Sequence, residues 1–141
     1  MNFTTAPADL SLSKEIVYDK AELSLTSLKK ESESDEYSAY RFEVQNKKIC
    51  YREAKITPTK TGQFVTLWKR VASGIIAPFD VSDPIDFVVI NVQKGTFSGQ
   101  FIFPKSILLE KGIFSTDTKE GKRAIRVYPP WDETPNDQSI K

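Results

Sequence analysis

The segment Phe87-Val-Val-Ile-Asn-Val92 decides the fold. It is almost wholly apolar and rich in β-branched residues, a pattern typical of a strand buried on both faces of a sheet. No apolar run in the chain approaches the roughly 18 residues that a membrane-spanning helix needs. We therefore predict that this segment is the central strand of a sheet, and that the rest of the chain supplies its neighbours.

The chain on both sides of this segment predicts further strands. A twofold alternation of apolar and polar residues begins at Tyr37, and the polar run 45–48 indicates the turn of a hairpin. Thr, Pro, Lys and Gly between residues 57 and 62 indicate another turn. The predicted strands are 37–44, 49–56, 63–70, 87–92, 100–103 and 124–128.

Helical periodicity is confined to three short regions. Residues 9–21 predict a helix with an apolar stripe, and residues 23–30 predict a weaker helix or turn. A short helix is expected from Pro104 to Lys111, because proline suits a first helical turn and Gly112 suits its end. The acidic segment 31–36 predicts a solvated loop.

This order of elements predicts an α+β fold. The chain has 141 residues, which suits a single domain over 1–141 with a polar tail from about residue 132. We expect a mixed, mostly antiparallel sheet flanked by helices.

Two residue types limit the possible chemistry. The chain has no histidine, which excludes Ser-His-Asp and Cys-His catalysis and histidine metal sites. Its one cysteine, Cys50, precludes an internal disulfide and is predicted to be a buried apolar residue. The N-terminal residues lack the pattern of a signal peptide, so we predict a cytoplasmic protein.

Charge is unevenly distributed along the chain. Residues 41–126 contain 15 Lys and Arg against 8 Asp and Glu, a net charge of +7, whereas residues 1–40 and 127–141 are net acidic. Lys and Arg alternate with aromatic and β-branched residues in the basic part, as in a sheet with a positive face. The pattern predicts a polyanionic partner.

The segment 55–70 has the highest density of candidate binding residues. Lys, Thr and Gly around a turn suit phosphate contacts, and Trp68 beside two cations suits base stacking. The alternative is a hairpin with solvated lysines and a core tryptophan. Trp131 is a second candidate for stacking, and we predict no catalytic residue, metal site or cofactor. The predicted nucleic-acid-binding residues are Lys55, Lys60, Trp68, Lys69, Arg70, Lys105, Lys122, Arg123 and Arg126.

Asp80, Asp83 and Asp86 recur every three residues. Asp80 and Asp83 are expected to organise turns through local hydrogen bonds. Asp86 either caps a turn or is the remnant of a metal-dependent phosphodiesterase site, which also needs an acid two residues before a lysine. Phe103 occupies that position before Lys105, so the motif is incomplete.

Four segments of the chain carry a resemblance to a known family: 55–70, 78–92, 99–113 and 121–131. Together they resemble the MepB-like family, small bacterial proteins whose founding member is encoded beside a multidrug efflux pump. The resemblance covers about residues 10–138. It implies a restriction-endonuclease-like fold and a suspected role in nucleic-acid binding. Family members are expected to continue with a segment of the kind Lys-Thr-Gln-x-Trp-Gln, whereas this chain ends at Lys141.

Three functional hypotheses follow. The first is a non-catalytic nucleic-acid-binding domain with a basic sheet face. The second is a divergent metal-dependent hydrolase that uses Asp86 with another acid, such as Glu43 or Glu53. The third is an adaptor that docks onto a protein partner through its basic face.

Overall fold

The computed structural model describes residues 25–72 and 74–132. Strands predominate in these ranges, with one α-helix and a short 3-10 turn at Asp35–Tyr37. The elements are β1 (Leu25–Lys30), β2 (Tyr40–Val44), β3 (Lys47–Glu53), β4 (Lys55–Ile56), β5 (Gln63–Thr66), β6 (Trp68–Arg70), β7 (Ile76–Pro78), β8 (Phe87–Lys94), β9 (Phe97–Pro104), α1 (Lys105–Glu110) and β10 (Ala124–Val127).

The main sheet has five strands in the order β1-β2-β3-β8-β9. Strands β3 and β8 are parallel, and the other neighbours are antiparallel. The predicted central strand is confirmed, because β8 lies between β3 and β9 and residues 88–92 are all buried. An uninterrupted apolar run is required here because both faces of β8 are covered.

The predicted hairpin at residues 45–48 is also confirmed. Val44 pairs with Lys47, so the turn consists of Gln45 and Asn46 alone. Both residues have positive φ angles, 48° and 67°, as a two-residue turn of the type I′ family requires. This tight turn fixes the register of β2 against β3.

Two smaller sheets lie beside the main sheet, β10-β5-β4 and β6-β7. The predicted strands 49–56 and 63–70 are therefore wrong in one respect, since each divides in two and changes sheet. The first divides at Ala54, whose N–H donates to the Asn91 carbonyl. The second divides at Leu67, whose N–H donates to the Arg123 carbonyl. Burial alternates without interruption over residues 63–68, so periodicity does not reveal the change of partner strand at Leu67.

The short helix is confirmed as α1, and Gly112 follows it with a φ of 72°. The predicted helix or turn at 23–30 is wrong, because β1 pairs with β2 around an irregularity at Ser27. The predicted helix 9–21 and the tail from residue 133 lie outside the described residues. Flanking of the sheet by helices and the endonuclease-like fold therefore stay predictions. No helix in the described ranges has the length and apolar character needed to cross a membrane.

The main core lies between the main sheet and the smaller elements. It joins residues of β8 to residues of β5, β10 and α1, and it includes Cys50, which is buried as predicted. Burial raises the pKa of the Cys50 thiol, which keeps the thiol protonated and unreactive. The opposite face of the main sheet carries a second apolar cluster, formed by Leu28, Tyr40, Phe42, Ile49, Tyr51 and Val89.

A buried arginine joins the sheets. The Arg52 side chain is fully buried, and its guanidinium donates to the Glu31 carboxylate and, over 3.1 Å, to the Thr66 carbonyl. Glu31 also pairs with Arg41 at 3.2 Å. Both guanidinium groups lie over the Phe79 ring, that of Arg41 at 5.2 Å and that of Arg52 at 5.9 Å from the ring centroid.

The expectation that segment 31–36 is a solvated loop is thus wrong in part. The Glu31 carboxylate contacts two arginines, and the Ser34 hydroxyl lies 2.7 Å from the Thr66 hydroxyl. Asp35 and Glu36 are exposed, as predicted. Composition alone does not distinguish the acid that meets a buried cation from its solvated neighbours.

We predict that Glu31→Gln lowers the free energy of unfolding by about 2–3 kcal/mol, because it leaves the buried Arg52 charge without a counterion. Glu36→Gln, in the same acidic segment, is the matched control and is expected to change stability by less than about 0.5 kcal/mol. Urea denaturation of the two variants measures both values. Equal stabilities would show that Glu31 does not have this role.

Candidate nucleic-acid interface

Several of the predicted binding residues are engaged by acids. The Lys69 ammonium lies 2.9 Å from the Asp80 carboxylate and 2.7 Å from the Asp83 carboxylate. Burial alone would lower the pKa of Lys69, but the two carboxylates outweigh it and raise the pKa. Arg70 pairs with Glu33 at 2.9 Å. These two cations hold the β6–β7 hairpin to neighbouring loops and are poorly available to phosphates.

Four other predicted residues lie away from the β4–β5 turn. The Lys105 ammonium donates to the Asp83 carbonyl at 2.6 Å, and the Trp68 ring lies beneath the Arg70 guanidinium. Arg123 pairs with Glu120 at 3.0 Å. Lys122 is exposed, but it precedes β10 at the end remote from the turn. The structure therefore does not bring all nine predicted residues together.

The remaining predicted residues lie on or next to the sheet β10-β5-β4, which we call the second sheet. Lys55 of β4 and Arg126 of β10 both pair in register with Phe64 of β5, so the three side chains share one face. Arg126 lies over the Phe64 ring at 5.6 Å. Lys55 lies over the Tyr37 ring at 5.3 Å. We name these four residues, Tyr37, Lys55, Phe64 and Arg126, the cation–aromatic row.

The turn 57–62 joins β4 to β5 next to this row, and Lys60 is exposed on it. Arg126 holds the turn by donating to the Thr57 hydroxyl at 2.8 Å and to the Thr61 and Gly62 carbonyls at 3.4 Å. Gly62 has a φ of 84°, and a Cβ there would lie 2.8 Å from the Tyr128 ring. Glycine is thus required for both its conformation and its lack of a side chain.

The same turn lines a cleft of 650 Å³. We name it the turn cleft; its walls are residues 56–62, Lys94, Trp131 and Asp132. Trp131 was a candidate for stacking from the sequence, but Lys94 was not identified. Gly95 in the sequence predicts a hairpin turn, and such a turn places Lys94 at the end of a strand. Its approach to Trp131 depends on the tertiary fold and leaves no local pattern.

Asp86 hydrogen-bonds to the backbone of β3, so its two predicted roles, turn cap and remnant of a metal site, stay predictions. Its carboxylate accepts the Lys48 N–H at 2.7 Å, and its own N–H donates to the Lys48 carbonyl. Glu53 is five residues further along β3 than Lys48, about 16 Å away at the usual rise of a strand. Phe103 stacks on Phe101. Within the described ranges, no three His, Cys, Asp or Glu residues are grouped to hold a metal ion.

Asp80 and Asp83 organise the turn that the sequence predicted. The Asp80 N–H donates to the Asp83 carboxylate at 2.8 Å. The Ser82 hydroxyl and N–H donate to the Asp80 carboxylate at 2.5 and 2.8 Å. The Ser82 hydroxyl, followed by Lys69, lowers the pKa of Asp80 to about 2.

We predict that Ser82→Ala raises the pKa of Asp80 towards its ordinary value of 3.8. Ionised Asp80 stabilises the native state above pH 3.8, and this contribution is lost as the pH falls towards 2. The variant should therefore show a smaller loss of stability in this pH window. NMR titration of the Asp80 carboxyl measures the shift, with Ser98→Ala as control; an unchanged pKa would contradict this assignment.

Comparisons with known proteins agree with the family resemblance. The family model described as MepB-like matches residues 31–141. Among solved structures, the crystal structure of MepB matches with a TM-score of 0.81 and 34% sequence identity, over 94% of this chain and 88% of that chain. A search of curated proteins finds no match. The chain belongs to the MepB-like family.

Proposed function

We propose that this chain binds nucleic acids without cleaving them, through cations on both sides of the turn 57–62. The observation that carries the proposal is the placement of Lys55, Lys60 and Arg126. They come from β4, the turn and β10, and both β4 and β10 pair with β5, which directly follows the turn. Lys94 borders the same turn across the turn cleft.

The availability of these cations supports a role in binding. Lys55 and Lys60 are exposed, and within the described ranges neither forms an ion pair. Lys94 pairs with Asp132 only at 3.6 Å, a distance typical of a weak surface contact. Phosphate oxygens therefore face little competition from protein carboxylates at these positions.

The aromatic residues of the cation–aromatic row add a second support. Phe64 and Tyr37 are in ring contact at 6.2 Å, and each lies beneath a cation. Such pairing orients the long side chains of Lys55 and Arg126 before any ligand arrives. A fixed row of cations on a sheet lowers the entropy cost of meeting a phosphate backbone.

We predict salt-dependent binding of fluorescently labelled DNA and RNA, measured by anisotropy. Four phosphate contacts give a slope of log K against log salt of about −2.8 for single strands and about −3.6 for duplexes. Affinity therefore falls about 50-fold and about 150-fold, respectively, between about 50 and 200 mM salt. The double variant Lys55→Gln/Lys60→Gln should lose about half of this slope, because two of the four charges are removed.

The matched control is Lys111→Gln/Lys119→Gln, which removes the same charge from exposed lysines beyond α1. It should leave the slope nearly unchanged. An equal effect of the two double variants would indicate a non-specific response to net charge. Absence of nucleic-acid binding at low salt would reject the proposal, and binding of an acidic protein instead would favour the adaptor hypothesis.

A further inference from the structure

The turn cleft differs in character from the exposed cation–aromatic row. Its volume of 650 Å³ lies within the range of small-molecule pockets, on the order of 300–1,000 Å³. One wall is the turn 57–62, with three threonines and Lys60. The opposite wall holds Lys94, Trp131 and Asp132. Hydroxyls, ammonium groups and one large aromatic ring thus surround a space of nucleotide size.

The indole ring of Trp131, which lines the cleft, packs against a second aromatic ring. The Trp131 ring stacks on Phe97 with 5.3 Å between centroids and 19° between planes. Phe97 pairs with Lys94 across the two-residue turn of the β8–β9 hairpin, where Gly95 has a φ of 60°. The hairpin thereby fixes the indole ring and places the Lys94 ammonium beside it. Phe97 is 57% exposed, so the ring that supports Trp131 lies at the surface.

The polar wall is held in place as well. Arg126 holds the turn by hydrogen bonds to Thr57, Thr61 and Gly62. The hydrogen bonds fix the turn backbone, while Lys60 and Thr59 stay exposed. The Trp131 Nε1–H is buried and has no hydrogen-bond partner in the described part of the chain. A buried donor without a partner is costly, and a ligand oxygen that reaches this N–H would remove the cost.

The charges in the cleft set the orientation of a ligand. Lys60 and Lys94 attract a phosphate group. Asp132 repels a phosphate, but its carboxylate accepts hydrogen bonds from the exocyclic amino groups of bases. A nucleotide therefore fits with its phosphate between the lysines and the turn hydroxyls, and with its base towards Trp131 and Asp132.

We propose that the turn cleft binds one unpaired nucleotide, so that the protein prefers single strands to duplexes. This inference rests on the proposed function. A base within a duplex is already stacked on both faces, and it reaches Trp131 only if it is extruded at a cost in unpairing and unstacking. A base in a single strand stacks on the indole without this cost. The cation–aromatic row then holds the flanking phosphates of either kind of nucleic acid.

The test compares a labelled oligodeoxycytidylate, whose bases carry exocyclic amino groups, with a labelled duplex of equal length, at one salt concentration. Trp131→Ala should weaken binding of the single strand about tenfold, the usual effect of losing one stacked base, and change binding of the duplex less than about twofold. Trp131→Phe should restore most of the single-strand affinity. Phe97→Ala, at an exposed position, removes the support of the indole and should weaken single-strand binding with little effect on folding.

The possible outcomes separate this inference from the proposed function. Equal loss of single-strand and duplex binding in Trp131→Ala and Phe97→Ala, or no loss of either, would reject the nucleotide pocket. The salt slope and its reduction in Lys55→Gln/Lys60→Gln would then still support general nucleic-acid binding. Binding of neither probe by the wild-type protein would overturn both.

Discussion

The buried ion pair between Arg52 and Glu31 is the constraint on which the rest of the structure depends. Arg52 belongs to β3 of the main sheet, and Glu31 directly follows β1. Arg52 also donates to the carbonyl of Thr66, the last residue of β5. One guanidinium therefore connects both sheets and the loop between β1 and β2. A fully buried cation is tolerated only if it is paired and hydrogen-bonded. The need to pair Arg52 therefore fixes how the second sheet packs against the main sheet.

That arrangement also determines which cations are left for a ligand. The chain leaves the main sheet at Ala54, which carries Lys55 onto the second sheet, and β10 brings Arg126 to the far side of the same strand β5. Other predicted cations meet acids instead: Lys69 meets Asp80 and Asp83, and Arg70 meets Glu33. Structural and available cations thus differ in whether a carboxylate lies within reach.

Local patterns in the sequence predicted the elements whose causes are local. The apolar run of β8, the turn at Gln45 and Asn46, and the end of α1 at Gly112 each follow from a few adjacent residues. The change of sheet at Leu67 and the strand β1 were not predicted, because they depend on pairing with distant segments. For the same reason the sequence indicated a basic binding segment but did not separate Lys60 from Lys69. Only the fold shows which lysine meets an acid.

A nucleic-acid surface centred on the turn 57–62 is the central functional claim, and NMR mapping tests it most directly. Backbone amide shifts of the isotope-labelled protein would be followed during titration with a short single-stranded oligonucleotide. We expect the largest changes of amide shift in residues 55–62, in residues 94–97, and around Arg126 and Trp131. Largest changes around Lys69, Arg70 and Arg123 would contradict it, as would a spectrum that does not change.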